Sequence, residues 1–164
     1  NEFTMSAVCT PRIIPDQSET NEMFSLQNGQ PNGVLMGINR RPATFPDEIY
    51  FSWRISARPG TDINTTLIAS GTHEFRIDNP SWLVTHWYWM AVSYNFSTNT
   101  VKTWVRNLSL ETETTKSATV SNLIPVEWND QLDSASVCSW GVSSDDGRTE
   151  WDGYLSQGVI HNKY

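Results

Sequence analysis

A period of two in hydrophobicity constrains this chain more than any other feature. In Ile49-Tyr50-Phe51-Ser52-Trp53-Arg54-Ile55-Ser56 the large apolar residues at 49, 51, 53 and 55 share one side, while Ser52, Arg54 and Ser56 share the other with Tyr50. Phe75 and Ile77 alternate with the charged residues Glu74, Arg76 and Asp78. Between Thr100 and Asn107, Val101, Thr103 and Val105 stand opposite Lys102, Trp104 and Arg106. Successive side chains of a strand point to opposite faces, so this alternation is that of antiparallel strands with one wet face.

Further strands are expected over residues 2–8, 22–26, 34–38, 66–69, 84–94, 108–114, 135–140 and 154–161. Turn clusters separate them: Asn28-Gly29-Gln30-Pro31-Asn32-Gly33, Arg58-Pro59-Gly60, residues 95–99, and Asp145-Asp146-Gly147. Gly supplies positive φ, Pro presets φ, and Asn or Asp tolerates the left-handed region. No segment carries a capped 3.6-residue period. About ten short strands with regular turns predict an all-β fold, an antiparallel β-sandwich or jelly roll. The 164 residues suit a single domain, with no linker or internal repeat evident.

The formal net charge is −7, which excludes nucleic acid and anionic membranes as main partners, since both need basic patches. No apolar run approaches the roughly 20 residues that cross a bilayer. Asn1 is not a natural start, so a piece cut from a longer precursor is expected. Three lysines (Lys102, Lys116, Lys163) stand against eight tryptophans. Hydroxyl- and amide-rich surfaces with scattered aromatics suit sugar binding, although Trp, Thr and Val also simply favour strands.

Two stretches add a family resemblance. Residues 86–95, His-Trp-Tyr-Trp-Met-Ala-Val-Ser-Tyr-Asn, followed by 101–107, Val-Lys-Thr-Trp-Val-Arg-Asn, resemble the Trp-rich hairpin of laminin-G-like and pentraxin-like domains. Residues 151–162, Trp-Asp-Gly-Tyr-Leu-Ser-Gln-Gly-Val-Ile-His-Asn, look like that group's closing strand, and residues 3–8 are similar to its early Phe-Thr-Ile-Ser-Ala-Trp strand. The resemblance implies a concanavalin A/laminin-G-like sandwich over residues 1–164. Such domains normally have one or two strands before the Phe-Thr-Ile-Ser strand. The N-terminal strand or strands are therefore expected to be lacking here, or to be supplied by another segment. The hairpin's usual Asp-Gly is Arg106-Asn107, and the Trp after Ser-Ala is replaced by Val8 and Cys9.

The resemblance implies a secreted, extracellular module that recognises a glycan or a matrix or cell-surface protein. A structural subunit of a larger homo- or hetero-assembly, and a glycan-active hydrolase of the same fold, are the alternatives. Aromatics near loops, Trp82, Trp128 and Trp140, with Asp146 and Arg148, are the candidate sugar site. Asp130, Asp133 and Asp145 offer carboxylates to calcium, which wants six to eight oxygens; solvated turn residues are the plainer explanation. The glucanase motif Glu-x-Asp-x-x-Glu is absent, so no catalytic residue is expected. Glu111 and Glu113 come nearest to the paired carboxylates a retaining glycosidase needs about 5–5.5 Å apart, and a solvated strand end explains them as well.

Cys9 and Cys138 are expected to pair in an oxidising compartment, stabilising by roughly 4–5 kcal/mol if unstrained. Two buried free thiols are the alternative. Asn64, Asn95 and Asn107 head N-glycosylation sequons, but 13 asparagines and 35 serines and threonines give about three such matches by chance.

Overall fold

A computed structural model of the chain describes residues 2–12, 20–27, 33–40, 48–57, 66–76, 84–119, 137–140 and 151–163. These residues form ten strands: β1 (Glu2–Pro11), β2 (Thr20–Gln27), β3 (Gly33–Arg40), β4 (Glu48–Ala57), β5 (Thr66–Arg76), β6 (Tyr88–Asn95), β7 (Thr100–Asn107), β8 (Thr112–Thr119), β9 (Val137–Trp140) and β10 (Gly153–Lys163). Every pairing is antiparallel. One five-stranded sheet runs β10-β1-β6-β7-β8 and the other β5-β4-β3-β2-β9. The expected all-β, two-sheet fold is the one observed.

The chain opens in the middle of the first sheet with β1. It crosses to build β2 to β5 as a meander in the second, then returns for the meander β6 to β8. The last two strands close the two sheets beside the first two: β9 pairs with β2, and β10 with β1. Where 66–69 and 73–78 read as separate strands, β5 runs unbroken, with Gly71 paired to Trp53. A glycine in a strand weakens it but does not end it when a neighbouring strand supplies the ladder.

One core fills the space between the sheets. β1 contributes Phe3, Met5, Ala7 and Cys9, and β6 contributes Tyr88, Met90, Val92 and Tyr94. Val101 and Val105 come from β7, facing Met23, Phe24, Met36, Ile38, Phe51 and Trp53 of the second sheet. All four methionines of the chain are fully buried. An unbranched thioether fills irregular gaps, which suits a core where flat aromatic rings meet across two twisted sheets. Trp53 meets Tyr94 edge-on at 5.8 Å between ring centroids. A bulge in β2 between Glu22 and Phe24 lets the consecutive residues Met23 and Phe24 both turn inward.

The start of β10 is fixed against the end of β1. Arg12 Nε lies 2.7 Å from Asp152 Oδ1, and the Arg12 amide donates to the Asp152 carbonyl at 2.7 Å. A Cβ on Gly153 would overlap the Thr10 carbonyl oxygen and come within 2.7 Å of the Pro11 Cα, so only glycine fits this crossing. Within β10, Gln157 at φ 51° makes a bulge between the Ser6 and Val8 pairings.

The two turns bounding β7 share a six-residue code that the sequence reading missed. Asn95-Phe96-Ser97-Thr98-Asn99-Thr100 and Asn107-Leu108-Ser109-Leu110-Glu111-Thr112 match in form. In the first, Asn95 Oδ1 accepts from the amides of Ser97 (3.1 Å) and Thr98 (3.0 Å). In the second, Asn107 Oδ1 accepts from Ser109 (2.9 Å) and Leu110 (3.0 Å). Each turn closes on a left-handed residue, Asn99 at φ 51° and Glu111 at φ 57°. An Asn side chain can replace a backbone carbonyl in this way, which initiates the turn. The second turn occupies 108–111, so β8 begins at Thr112 rather than at 108.

Asn accepts the left-handed region readily and Glu does not. Glu111→Asn is therefore expected to stabilise the protein by about 0.5–1 kcal/mol, measured as a rise in the denaturant midpoint. An unchanged or lower midpoint would refute the turn assignment.

Candidate functional site

Because Phe3, Met5, Ala7 and Cys9 point into the core, their neighbours on β1 point out, and the same logic orders every strand of the first sheet. Its outer face can be read across the registers. One row is Ser156, Val8, Trp89, Arg106 and Glu113; the next is Val159, Ser6, Ala91, Trp104 and Thr115; the third is His161, Thr4, Ser93, Lys102 and Ser117. Ser156 and Val159 are three apart yet share this face, because the β10 bulge restores the alternation.

The middle of this face is low. Ser6, Ala91 and Ser93 point outward but keep only 8%, 1% and 4% of their surface, because they are small and their neighbours are large. Trp89 and Trp104 rise beside them, half-buried, with ring centroids 6.5 Å apart and planes inclined by 49°. The Lys102 ammonium sits 4.9 Å from the Trp104 ring centroid, within the range of a cation–π contact. Lys102 and Arg106 are exposed. Ser93 Oγ donates to Glu2 Oε1 at 2.7 Å, which ties a carboxylate to the edge of the floor.

The aromatic surface continues to the end of the sheet. Trp87 is exposed and held by the second turn: its amide donates to Ser109 Oγ at 3.2 Å, and its carbonyl accepts from the Leu108 amide at 2.8 Å. Asn107 Nδ2 donates to His86 Nδ1 at 3.0 Å. Trp87, Leu108 and Leu110 thus gather as an exposed apolar end. Chemically, the face offers flat rings for apolar stacking, flanking cations, and hydroxyls that donate and accept.

Of the residues expected to bind sugar or calcium, Trp140 alone is among the described residues. Trp82, Trp128, Asp146 and Arg148, the calcium candidates Asp130, Asp133 and Asp145, and Asn64 fall outside the described residues. Trp140 is on β9, paired with Phe24 in the second sheet. Among the described residues, no group of three His, Cys, Asp or Glu side chains is placed to hold a metal ion. Glu111 sits in the turn and Glu113 on β8 opposite Arg106, so they do not share a strand face as period two suggested. The two sequon asparagines in view, Asn95 and Asn107, are turn-building groups. Trp104 was placed by alternation on the wet face of β7. For Trp87, Trp89 and Trp104, being on expected strands suits either the core or the sheet surface, and a Trp-Tyr-Trp run does not say which face is inward.

The expected disulfide is corrected. Cys9 is a free thiol, fully buried on β1 of the first sheet, while Cys138 stands on β9 of the second. A bridge needs the two Cα atoms within about 7 Å and converging Cβ directions, and a count of two cysteines carries no information on either. Burial pushes the Cys9 thiol well above its ordinary range, and desolvation does the same to the Tyr94 and Tyr88 phenols.

No protein-family profile matches the chain, and no curated protein matches it. Solved structures do. Tailspike protein 2 of an Escherichia coli bacteriophage matches over 97% of this chain and 19% of its own, with 12% identity and a TM-score of 0.58. The enzymatically active domain of a bacteriophage tailspike protein 2 matches over 97% of this chain and 22% of its own, with 14% identity and a TM-score of 0.56. The CBM2 module of the evolved Dit of Lactobacillus casei BL23 phage J-1 matches over 99% of this chain and 64% of its own, with 14% identity and a TM-score of 0.46. The chain spans about a fifth of the tailspike chains. At such identities the tailspike likeness is one of fold alone: this chain shares its all-β architecture with a portion of those proteins.

The buried thiol and phenols give a chemical check. At neutral pH, iodoacetamide should leave Cys9 unmodified in the native protein and modify it in guanidinium, as peptide mapping would read. The unfolded chain loses the thiol proton above about 8.5 and the phenol protons above about 10, while the folded chain keeps both. The unfolded state then binds fewer protons, so stability should fall as pH rises through that window. Rapid native labelling of Cys9 would contradict its burial.

Proposed function

We propose that this chain is a non-catalytic glycan-binding module of the laminin-G/concanavalin A-like type, acting outside the cell as part of a larger protein. The observation that carries the proposal is the outer face of the first sheet. Two inclined tryptophans stand over a floor of Ser6, Ala91 and Ser93, and hydroxyl and cationic side chains border them. Aromatic side chains are normally placed inward in a sandwich, because fully burying one stabilises by about 1.5–3 kcal/mol. Two left half-open beside small residues suit a ligand that supplies the missing apolar contact. A pyranose ring fits, since it has an apolar face and a rim of hydroxyls for Ser, Thr and Arg partners. The extracellular assignment rests on the family resemblance; a disulfide no longer supports it.

A structural role in a particle is the second reading. The exposed end formed by Trp87, Leu108 and Leu110 favours it, because such a patch suits burial against another surface. The tailspike likeness agrees with it at the level of fold.

The two readings separate on a glycan array run with and without calcium. The wild-type chain should bind a subset of glycans, and Trp104→Ala should lower the affinity tenfold or more while leaving the thermal melt cooperative. Silence across the array, with self-association in light scattering that Trp87→Ser abolishes, would favour the structural role.

A further inference from the structure

Although acidic residues outnumber basic ones in the whole chain, 18 to 11, the aromatic face is arranged differently. The three consecutive outward positions of β7 are Lys102, Trp104 and Arg106, with Val101, Thr103 and Val105 turned into the sheet interior. A strand advances about 3.4 Å per residue, so the Cα atoms of Lys102 and Arg106 stand about 7 Å to either side of that of Trp104, about 14 Å apart. Lys102 holds its ammonium over the Trp104 ring, 4.9 Å from the centroid. His161 stands exposed at the β10 side of the same face. Two carboxylates share the face: Glu2 accepts from Ser93, and Glu113 stands opposite Arg106 on the outermost strand. Trp104, between the two exposed cations, is half-buried.

The inclination of the rings adds a second constraint. Trp89 and Trp104 are 49° apart, so both cannot lie flat on one plane. A crystalline polysaccharide surface would engage only one of them. A single chain, whose successive sugars rotate about their linkages, can meet both.

From these two observations we infer that the face is built for a single, soluble chain of an acidic polysaccharide. Pyranose rings would stack on Trp89 and Trp104, and sugar carboxylates would pair with Lys102 and Arg106. This inference rests on the glycan-binding reading and adds the charge and physical state of the ligand. The Arg106 guanidinium can bind a carboxylate through two parallel N–H donors, and the Lys102 ammonium acts as a point charge already oriented by the ring. An exposed cationic site of this kind predicts affinity that falls as salt screens it.

Titration calorimetry tests this with polygalacturonate, alginate and hyaluronate, each beside its carboxyl-reduced form, and with a microcrystalline cellulose pull-down. At least one acidic polymer should bind tenfold or more tightly than its reduced form, with affinity dropping between 50 mM and 500 mM salt. Lys102→Gln/Arg106→Gln should remove that preference while keeping the melting temperature. Trp104→Ala should weaken acidic and reduced forms together, Trp104→Phe should partly restore both, and cellulose should not retain the protein. Equal binding of acidic and reduced polymers would overturn the charge inference and leave glycan binding standing. Retention on cellulose would overturn the single-chain inference. Failure of all three acidic polymers would overturn the inference as a whole. Unchanged binding by Trp104→Ala would remove the face itself as the site.

Discussion

β1 is paired on both sides, and the rest of the first sheet depends on that double pairing. Eight of its ten residues, Glu2–Cys9, run against β6, far along the chain, and nine pair with β10. Each of those contacts closes a long loop before any reward is collected, and loop-closure entropy opposes it. What offsets this cost is the inward row Phe3, Met5, Ala7 and Cys9, which meets Tyr88, Met90, Val92 and Tyr94 in one apolar layer. The Arg12–Asp152 pair and Gly153 fix where β10 joins. With β1 in place, inward and outward are decided for every strand beside it, because the side-chain period is two and a one-residue slip would turn the whole set over.

The outer face of the first sheet follows from the same constraint. The core selects large apolar side chains on one side of β1 and β6. The other side carries Ser6, Ala91 and Ser93, which add no core contacts and are free to be small. β7 then places Lys102, Trp104 and Arg106 at the margin. The core therefore provides a rigid backing, and the alternation delivers an aromatic and cationic surface on its reverse. The two Asn-initiated turns serve this arrangement. They hold β7 between β6 and β8 in a fixed register, and the second also anchors Trp87.

Several elements were legible in the sequence for clear reasons. β4 and β7 were read to within a residue, because their alternation is strong and turn residues flank them. The β8 boundary was missed because the Asn-x-Ser pattern reads equally as a glycosylation sequon and as a turn code; only the hydrogen bonds to Ser109 and Leu110 tell them apart. In the sequence the candidate sugar site falls on aromatics near loops, where binding residues often gather. The aromatic pair in view instead lies on two adjacent strands.

The sequence by itself determined the all-β class and the approximate position of most of the described strands. It also determined which side of β4 and β7 is apolar. These are local properties, carried by period two and by turn chemistry within a few residues. Only the tertiary structure decided which strands are neighbours, that Cys9 is a buried free thiol, and that Trp89 and Trp104 come within 6.5 Å. Those depend on contacts between residues far apart in the chain, and local hydrophobicity holds no record of the partner that a strand will find.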